Sequence, residues 1–193
     1  MDRPECKAAV EYLRQKGTDA PAAKLLSGLR STLQRFEQIV DRIPETTRRQ
    51  RPAPAAWSIH EIVDHLVESH RPAVAELRSL CAGVSPTDGP IPARLTSLHP
   101  MQRPWGELFD ALTRVHAELL EIVAAARDST PLDAKAPFVM VVKVPAESGA
   151  EVLEWVEQLN WKAYAQALRV HTHEHAAQVQ RTLSAVSGED ATT

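Results

Sequence analysis

Residues 164–183, YAQALRVHTHEHAAQVQRTL, decide how this chain is read. At about 100° per residue, Tyr164, Leu168, His171, His175, Gln178 and Val179 fall on one stripe of a helix. The stripe is apolar apart from its imidazoles, phenol and amide, so it points inward. Two histidines one turn apart inside a helical bundle offer two nitrogens to a single metal ion. As ordinary core residues they would instead need two separate hydrogen-bond partners. His173 lies about 200° from His171, on the outer face, and the local HTHEH lacks the HExxH spacing of zinc proteases. A third ligand must come from elsewhere in the chain.

The best-punctuated helix start upstream supplies one. Ser58 and Glu61 form a capping box, and Trp57 and Ile62 flank it as a hydrophobic staple. Ile59, Ile62, Val63, Leu66, Ala73 and Leu77 then face the core, with His65 at the edge of their stripe as the candidate third ligand. Pro72 lacks an amide proton and clashes with the preceding turn, so the helix is expected to kink or restart there.

Two further helices complete a bundle. Leu26, Leu29, Leu33, Phe36, Val40 and Ile43 recur in steps of three and four over residues 22–43, as do Leu108, Leu112, Val115, Leu119 and Ile122 over residues 105–126. His116 sits near the second stripe and is a weaker candidate for a fourth ligand. Residues 4–16 predict a short helix ended by Gly17 and Pro21. Residues 44–56 and 83–104 read as proline-rich connections, and Arg48, Arg49 and Arg51 in the first as a solvated charge run or, less favoured, an anion site. Residues 138–144, FVMVVKV, have the β-branched density of a strand, whereas 151–159 read as helical and lead into the last helix, which ends before Gly188. The expected fold class is all-α: a four-helix bundle with long interhelix loops, an extra N-terminal helix and one short strand segment near 138–144. It forms one domain over 1–193 with its core at about 22–186.

Composition narrows the function. Twenty-two Lys and Arg against 25 Asp and Glu give a formal charge of −3, without the basic excess of a nucleic-acid binder. The N-terminus has no apolar run of signal-peptide type, and 138–142 is far too short to cross a bilayer, so a cytoplasmic protein is expected. Cys6 and Cys81 stand apart without CxxC spacing and read as reduced thiols.

Taken together, WSIHEIVDHL and HTHEHAAQV resemble the DinB/YfiT-like superfamily of small metalloproteins. That family's pattern pairs a Trp-Ser helix start carrying a histidine with a later H-x3-H, followed by Gln and an aliphatic residue. The matching positions are Trp57, Ser58 and His65, then His171, His175, Gln178 and Val179. The resemblance covers about residues 22–186; the N-terminal extension and FVMVVKV depart from it. It implies a metal triad of His65, His171 and His175 holding a divalent ion, zinc or nickel foremost and iron after them. It also implies a metal-dependent activity on a small molecule. Members include S-transferases and an isomerase that use low-molecular-weight thiols, and metal-dependent hydrolases. The thiol transferase is the leading reading, because the chain has no G-x-S-x-G elbow and no Cys-His pairing. A hydrolase would need a carboxylate base, for which Glu174 and Asp64 are the weak catalytic candidates and Glu68 a neighbour. A non-catalytic metal-binding bundle is the third reading. Glu61, Tyr164, Gln178 and Trp57 are the candidates to support a ligand or wall the pocket, Tyr164 and Gln178 equally reading as satisfied core residues, while Trp105, Trp155 and Trp161 read as ordinary packing before further walls, as does Trp57 through its staple. A homodimer is expected, since bundle helices readily present a second apolar stripe.

Overall fold

The computed structural model describes residues 3–146 and 149–188. In chain order the elements are α1 (Pro4–Leu13, prolonged by a π-helical turn at Arg14–Thr18), α2 (Ala22–Asp41), α3 (Glu45–Arg48) and α4 (Ile59–Cys81). There follow a 3-10 turn at Pro100–Gln102, α5 (Trp105–Ala125), β1 (Ala136–Ala146), β2 (Gly149–Leu159) and α6 (Trp161–Ser187).

The long helices α2, α4, α5 and α6 make the bundle. Each packs on two neighbours, α2 and α4 both contacting α5 and α6, so the helices follow one another around the bundle as α2, α5, α4, α6. Both α2 to α4 and α5 to α6 are therefore diagonal connections. Segment 44–56 makes the first and the β1–β2 hairpin lies within the second, which is why neither is a tight helix–helix turn.

The helix interiors bury two separate apolar clusters. One contains Leu25, Leu29, Leu33, Ala73, Leu77, Leu119, Val123, Trp161, Tyr164 and Leu168. The other contains Phe36, Val40, Ile59, Ile62, Leu66, Leu108, Leu112 and Val179. On every bundle helix a polar residue lies at or next to the change from one to the other: His70 between Val67 and Ala73, His171 between Leu168 and Ala176, Glu37 just after Phe36, and His116 just after Val115. A polar layer thus crosses the middle of the bundle.

The helix starts follow the expected chemistry. Ser58 and Glu61 make both bonds of the capping box: the Glu61 amide donates to Ser58 Oγ at 3.2 Å, and the Ser58 amide to Glu61 Oε2 at 2.9 Å. Asn160 caps α6 by accepting from the Ala163 amide, and Gly188 closes that helix in the left-handed conformation.

Several expectations are corrected. Residues 151–159 are a strand: β2 pairs antiparallel with β1 from Ala136↔Leu159 to Ala146↔Gly149. Leu153, Trp155 and Leu159 are buried at a period of two, and that alternation, short enough to pass for helix, is the strand's own signature. FVMVVKV is consequently one arm of a hairpin. Its Phe138 meets Tyr164 edge to face with ring centroids 5.3 Å apart, while Val144, Leu153 and Trp155 cover Cys6 on α1.

The helix also runs through Pro72 without restarting. Gly17 is not a left-handed cap; a Cβ there would lie 2.8 Å from Ala163 Cα, so its role is to let the turn after α1 lie against the backbone of α6. Leu25 is buried where Leu26 is half-buried, and Val123 where Ile122 is, so one end position of each seam shifts by a residue while the other seam residues are buried.

The arginine run is only partly solvated, Arg48 being buried, Arg49 half-buried and Arg51 exposed. Arg48 is buried with its guanidinium 4.0 Å from the Trp105 ring centre, Arg49 donates to the Met101 carbonyl, and Arg51 pairs with Glu61.

Candidate metal centre

α4 and α6 are neighbours, and their contact brings His65 to the pair on α6. His171 Nε2 lies 3.0 Å from His65 Nε2 and 3.1 Å from His175 Nε2. The three ligand atoms all fall within 4.8 Å of one another. Each ring is steered from behind. His65 Nδ1 donates to the Leu95 carbonyl at 2.8 Å, and His175 Nδ1 to the Gln178 side-chain oxygen at 2.9 Å.

Those partners decide the protonation pattern. A carbonyl oxygen only accepts, so the proton of each neutral ring sits on Nδ1, and Nε2 of both His65 and His175 presents a bare lone pair. The Nε2 of His171 faces two such lone pairs and, with a single proton at most, satisfies one of them. A cation at the convergence point satisfies all three, so this donor set fits a divalent metal ion.

The rings are kept neutral. Burial lowers the pKa of His65. Burial, helped by the neighbouring imidazoles, holds His171 well below its ordinary value and pushes His175 down to about 3. In metal-free protein this sets a pH dependence. These imidazoles take a proton more readily in the unfolded chain, at about pH 6.5, than in the fold, so stability is complete above that pH and falls as the solution is acidified. For His175, with its folded value of about 3, the loss between pH 6.5 and pH 5 is about 2 kcal/mol at roughly 1.4 kcal/mol per pH unit. Urea unfolding with a chelator present is expected to give a lower midpoint at pH 5 than at pH 7. An unchanged midpoint contradicts the neutral-imidazole assignment.

The connection between α4 and α5 forms one wall. Asp64, fully buried beside His65, accepts from the Ser97 amide and hydroxyl, both at 2.8 Å, and from Arg103 Nη1 at 2.7 Å. This anchors the segment that carries the Leu95 carbonyl. His60 Nε2 lies 3.1 Å from the Pro100 carbonyl further along the same segment. Trp57, half-buried, forms a second wall, with its ring 5.0 Å from that of His65 and 6.3 Å from that of His175.

The remaining candidates are distributed as follows. Gln178 accepts from His175, and the Trp57 ring lies against those of His65 and His175. Glu61 serves the capping box and Arg51. Tyr164 is buried and donates to Glu76 at 2.6 Å. Trp105 lies under Arg48, and Trp155 and Trp161 belong to apolar clusters. Glu68 pairs with Arg103 and Arg71, while His173 and Glu174 are exposed on α6.

His116 is not a fourth member of the cluster: its Nδ1 lies 2.6 Å from Glu37 Oε1, on the α2 side of the bundle. His70 was missed. It is fully buried, with Nε2 3.3 Å from His171 Nδ1. Its signal was present, since position 70 continues the stripe Leu66, Ala73, Leu77 in steps of four, three and four.

A four-helix bundle with a partly buried three-imidazole cluster between two of its helices is the class that this fold and site define. A match to the DinB superfamily extends over residues 29–179, and the chain belongs to that superfamily. Among solved structures it is similar to YfiT from Bacillus subtilis, described as "a probable metal-dependent hydrolase with an unusual four-helix bundle topology". That likeness has 14% identity and a TM-score of 0.58, over 86% of this chain and 87% of YfiT. TT2238, a four-helix bundle protein, is similar at 18% identity with a TM-score of 0.49, over 83% of this chain and 96% of that one. Among curated proteins nothing matches the chain.

Proposed function

We propose that this chain is a metal-dependent enzyme that joins a low-molecular-weight thiol to a small electrophile, with His65, His171 and His175 holding a divalent ion. The observation that carries the reading is the convergence of three imidazole Nε2 atoms, with Asp64 bound by Ser97 and Arg103. Bound there, a divalent ion supplies Lewis acidity, which favours the thiolate form of a thiol without help from a protein base. Leu95 and Gln178 fix the outer rings, and Trp57 offers an apolar face to a substrate at the half-buried side of the cluster. Asp64 is saturated by Ser97 and Arg103 and Glu174 faces solvent, which leaves a carboxylate-base mechanism less supported.

Hydrolysis at the same site is the alternative, YfiT being described as "a probable metal-dependent hydrolase". The two are separated by one assay. Zinc- or nickel-loaded protein, given a panel of low-molecular-weight thiols and a general alkylating electrophile, is expected to consume thiol faster than the solution reaction does, and to lose that rate on chelation. No rate above the free thiol ends the transferase reading, and ester or amide cleavage without added thiol favours hydrolysis.

A further inference from the structure

Behind the metal centre, three side chains that the reading above does not use stand in file across the bundle. His70 Nε2 on α4 meets His171 Nδ1 at 3.3 Å, the His70 and His116 rings lie 5.5 Å apart, and His116 Nδ1 on α5 meets Glu37 Oε1 on α2 at 2.6 Å. Both histidines are buried, and Glu37 is half-buried at the bundle edge. Two nitrogens in this file, His70 Nδ1 and His116 Nε2, are buried with no hydrogen-bond partner. A buried imidazole nitrogen left unpaired is costly, and two on adjoining rings point to a shared cause.

The tautomers supply it. Glu37 Oε1 accepts, so His116 donates from Nδ1 and its Nε2 is a bare acceptor. At the other end, His171 turns Nε2 to the ion and therefore carries its proton on Nδ1, which donates to His70 Nε2. His70 must then be protonated on Nδ1. The two unpaired atoms are thus one donor and one acceptor, and a small ring rotation or a single buried water joins them.

We infer that Glu37, His116 and His70 form a one-way hydrogen-bond relay that orients His171 and strengthens it as a metal ligand. The inference rests on the metal-centre reading. All three are positioning residues: every N–H in the file points away from the ion, so electron density from the Glu37 carboxylate is passed inward to His171. Carboxylates commonly do this for a ligating histidine directly; here two imidazoles extend the reach across two helix interfaces.

The test compares wild type with Glu37→Gln, His70→Leu and the double variant, by zinc titration against a chromophoric chelator and by 1H–15N spectra of the imidazoles in zinc-loaded protein. Each single variant is expected to bind zinc about tenfold more weakly or worse. The double variant should lose no more than His70→Leu alone, because a break next to His171 already disconnects Glu37. In wild type, His171, His70 and His116 should each show a protonated Nδ1 and an unprotonated Nε2, with that of His171 on zinc. Circular dichroism checks folding, and if His70→Leu does not fold, Glu37→Gln and the wild-type spectra decide. Unchanged affinity in Glu37→Gln, additive losses in the double variant, or His70 protonated on Nε2 overturns the relay and leaves the metal centre standing. A wild-type protein that binds no zinc overturns the metal centre and the relay with it.

Discussion

His171→Ala is expected to bind zinc at least about a hundredfold more weakly than wild type, and to lose any metal-dependent activity with the ion. His171 Nε2 is the atom that both other ligand nitrogens approach, at 3.0 and 3.1 Å, so its removal opens the centre of the cluster rather than its rim. The size follows from the energy of a complete site: roughly 10–16 kcal/mol over four ligands is about 3 kcal/mol for one, or about two decades in affinity. His173→Ala is the control, since that ring is exposed on the opposite side of α6. Competition with a chromophoric chelator measures both. Equal affinity in the two variants would show that the ion, if bound, is held elsewhere.

Asp64→Ala is expected to lower the unfolding free energy of metal-free protein by about 3 kcal/mol, the low end for breaking a buried ion pair. The carboxylate is fully buried and accepts three hydrogen bonds, so its loss leaves the Ser97 amide and the Arg103 guanidinium facing a cavity. Arg103 keeps Glu68 at 3.0 Å and is partly exposed, which holds the effect to that end of the range. The consequence reaches the metal centre through the backbone. Residues 95–103 lose their anchor to α4, the Leu95 carbonyl no longer holds His65 Nδ1, and zinc affinity is expected to fall about ten- to a hundredfold. Asp64→Asn, which keeps an acceptor for Ser97, should fall between. Were Asp64 a catalytic base alone, stability and affinity would both stay at wild-type values while turnover dropped.

Much of the centre was readable because helical periodicity is a local property. The spacing of His171 and His175 on the Tyr164–Val179 stripe places both rings on one face of α6, whatever that helix packs against. The box at Ser58 and Glu61 fixed where α4 begins, and so the turn on which His65 sits. His70 is equally readable, at the next position of the Leu66–Leu77 stripe, on a helix that continues through Pro72. β2 was misread because EVLEWVEQL is nine residues long with glutamates among its apolar positions. Only pairing with β1 distinguishes its alternation from a short helical stripe.

By itself the sequence determined four amphipathic helices, the starts of the first three, and a pair of inward imidazoles one turn apart, because backbone geometry turns residue spacing into a face. The tertiary structure alone decided which faces meet. It set α6 against α4, closing a gap of 106 residues so that His65 Nε2 stands 3.0 Å from His171 Nε2. It also set α5 between α4 and α2, turning His116 from a candidate ligand into the partner of Glu37. Helix order around a bundle depends on the shapes of two apolar clusters and the reach of two diagonal connections. Neither is written in the spacing of any one segment.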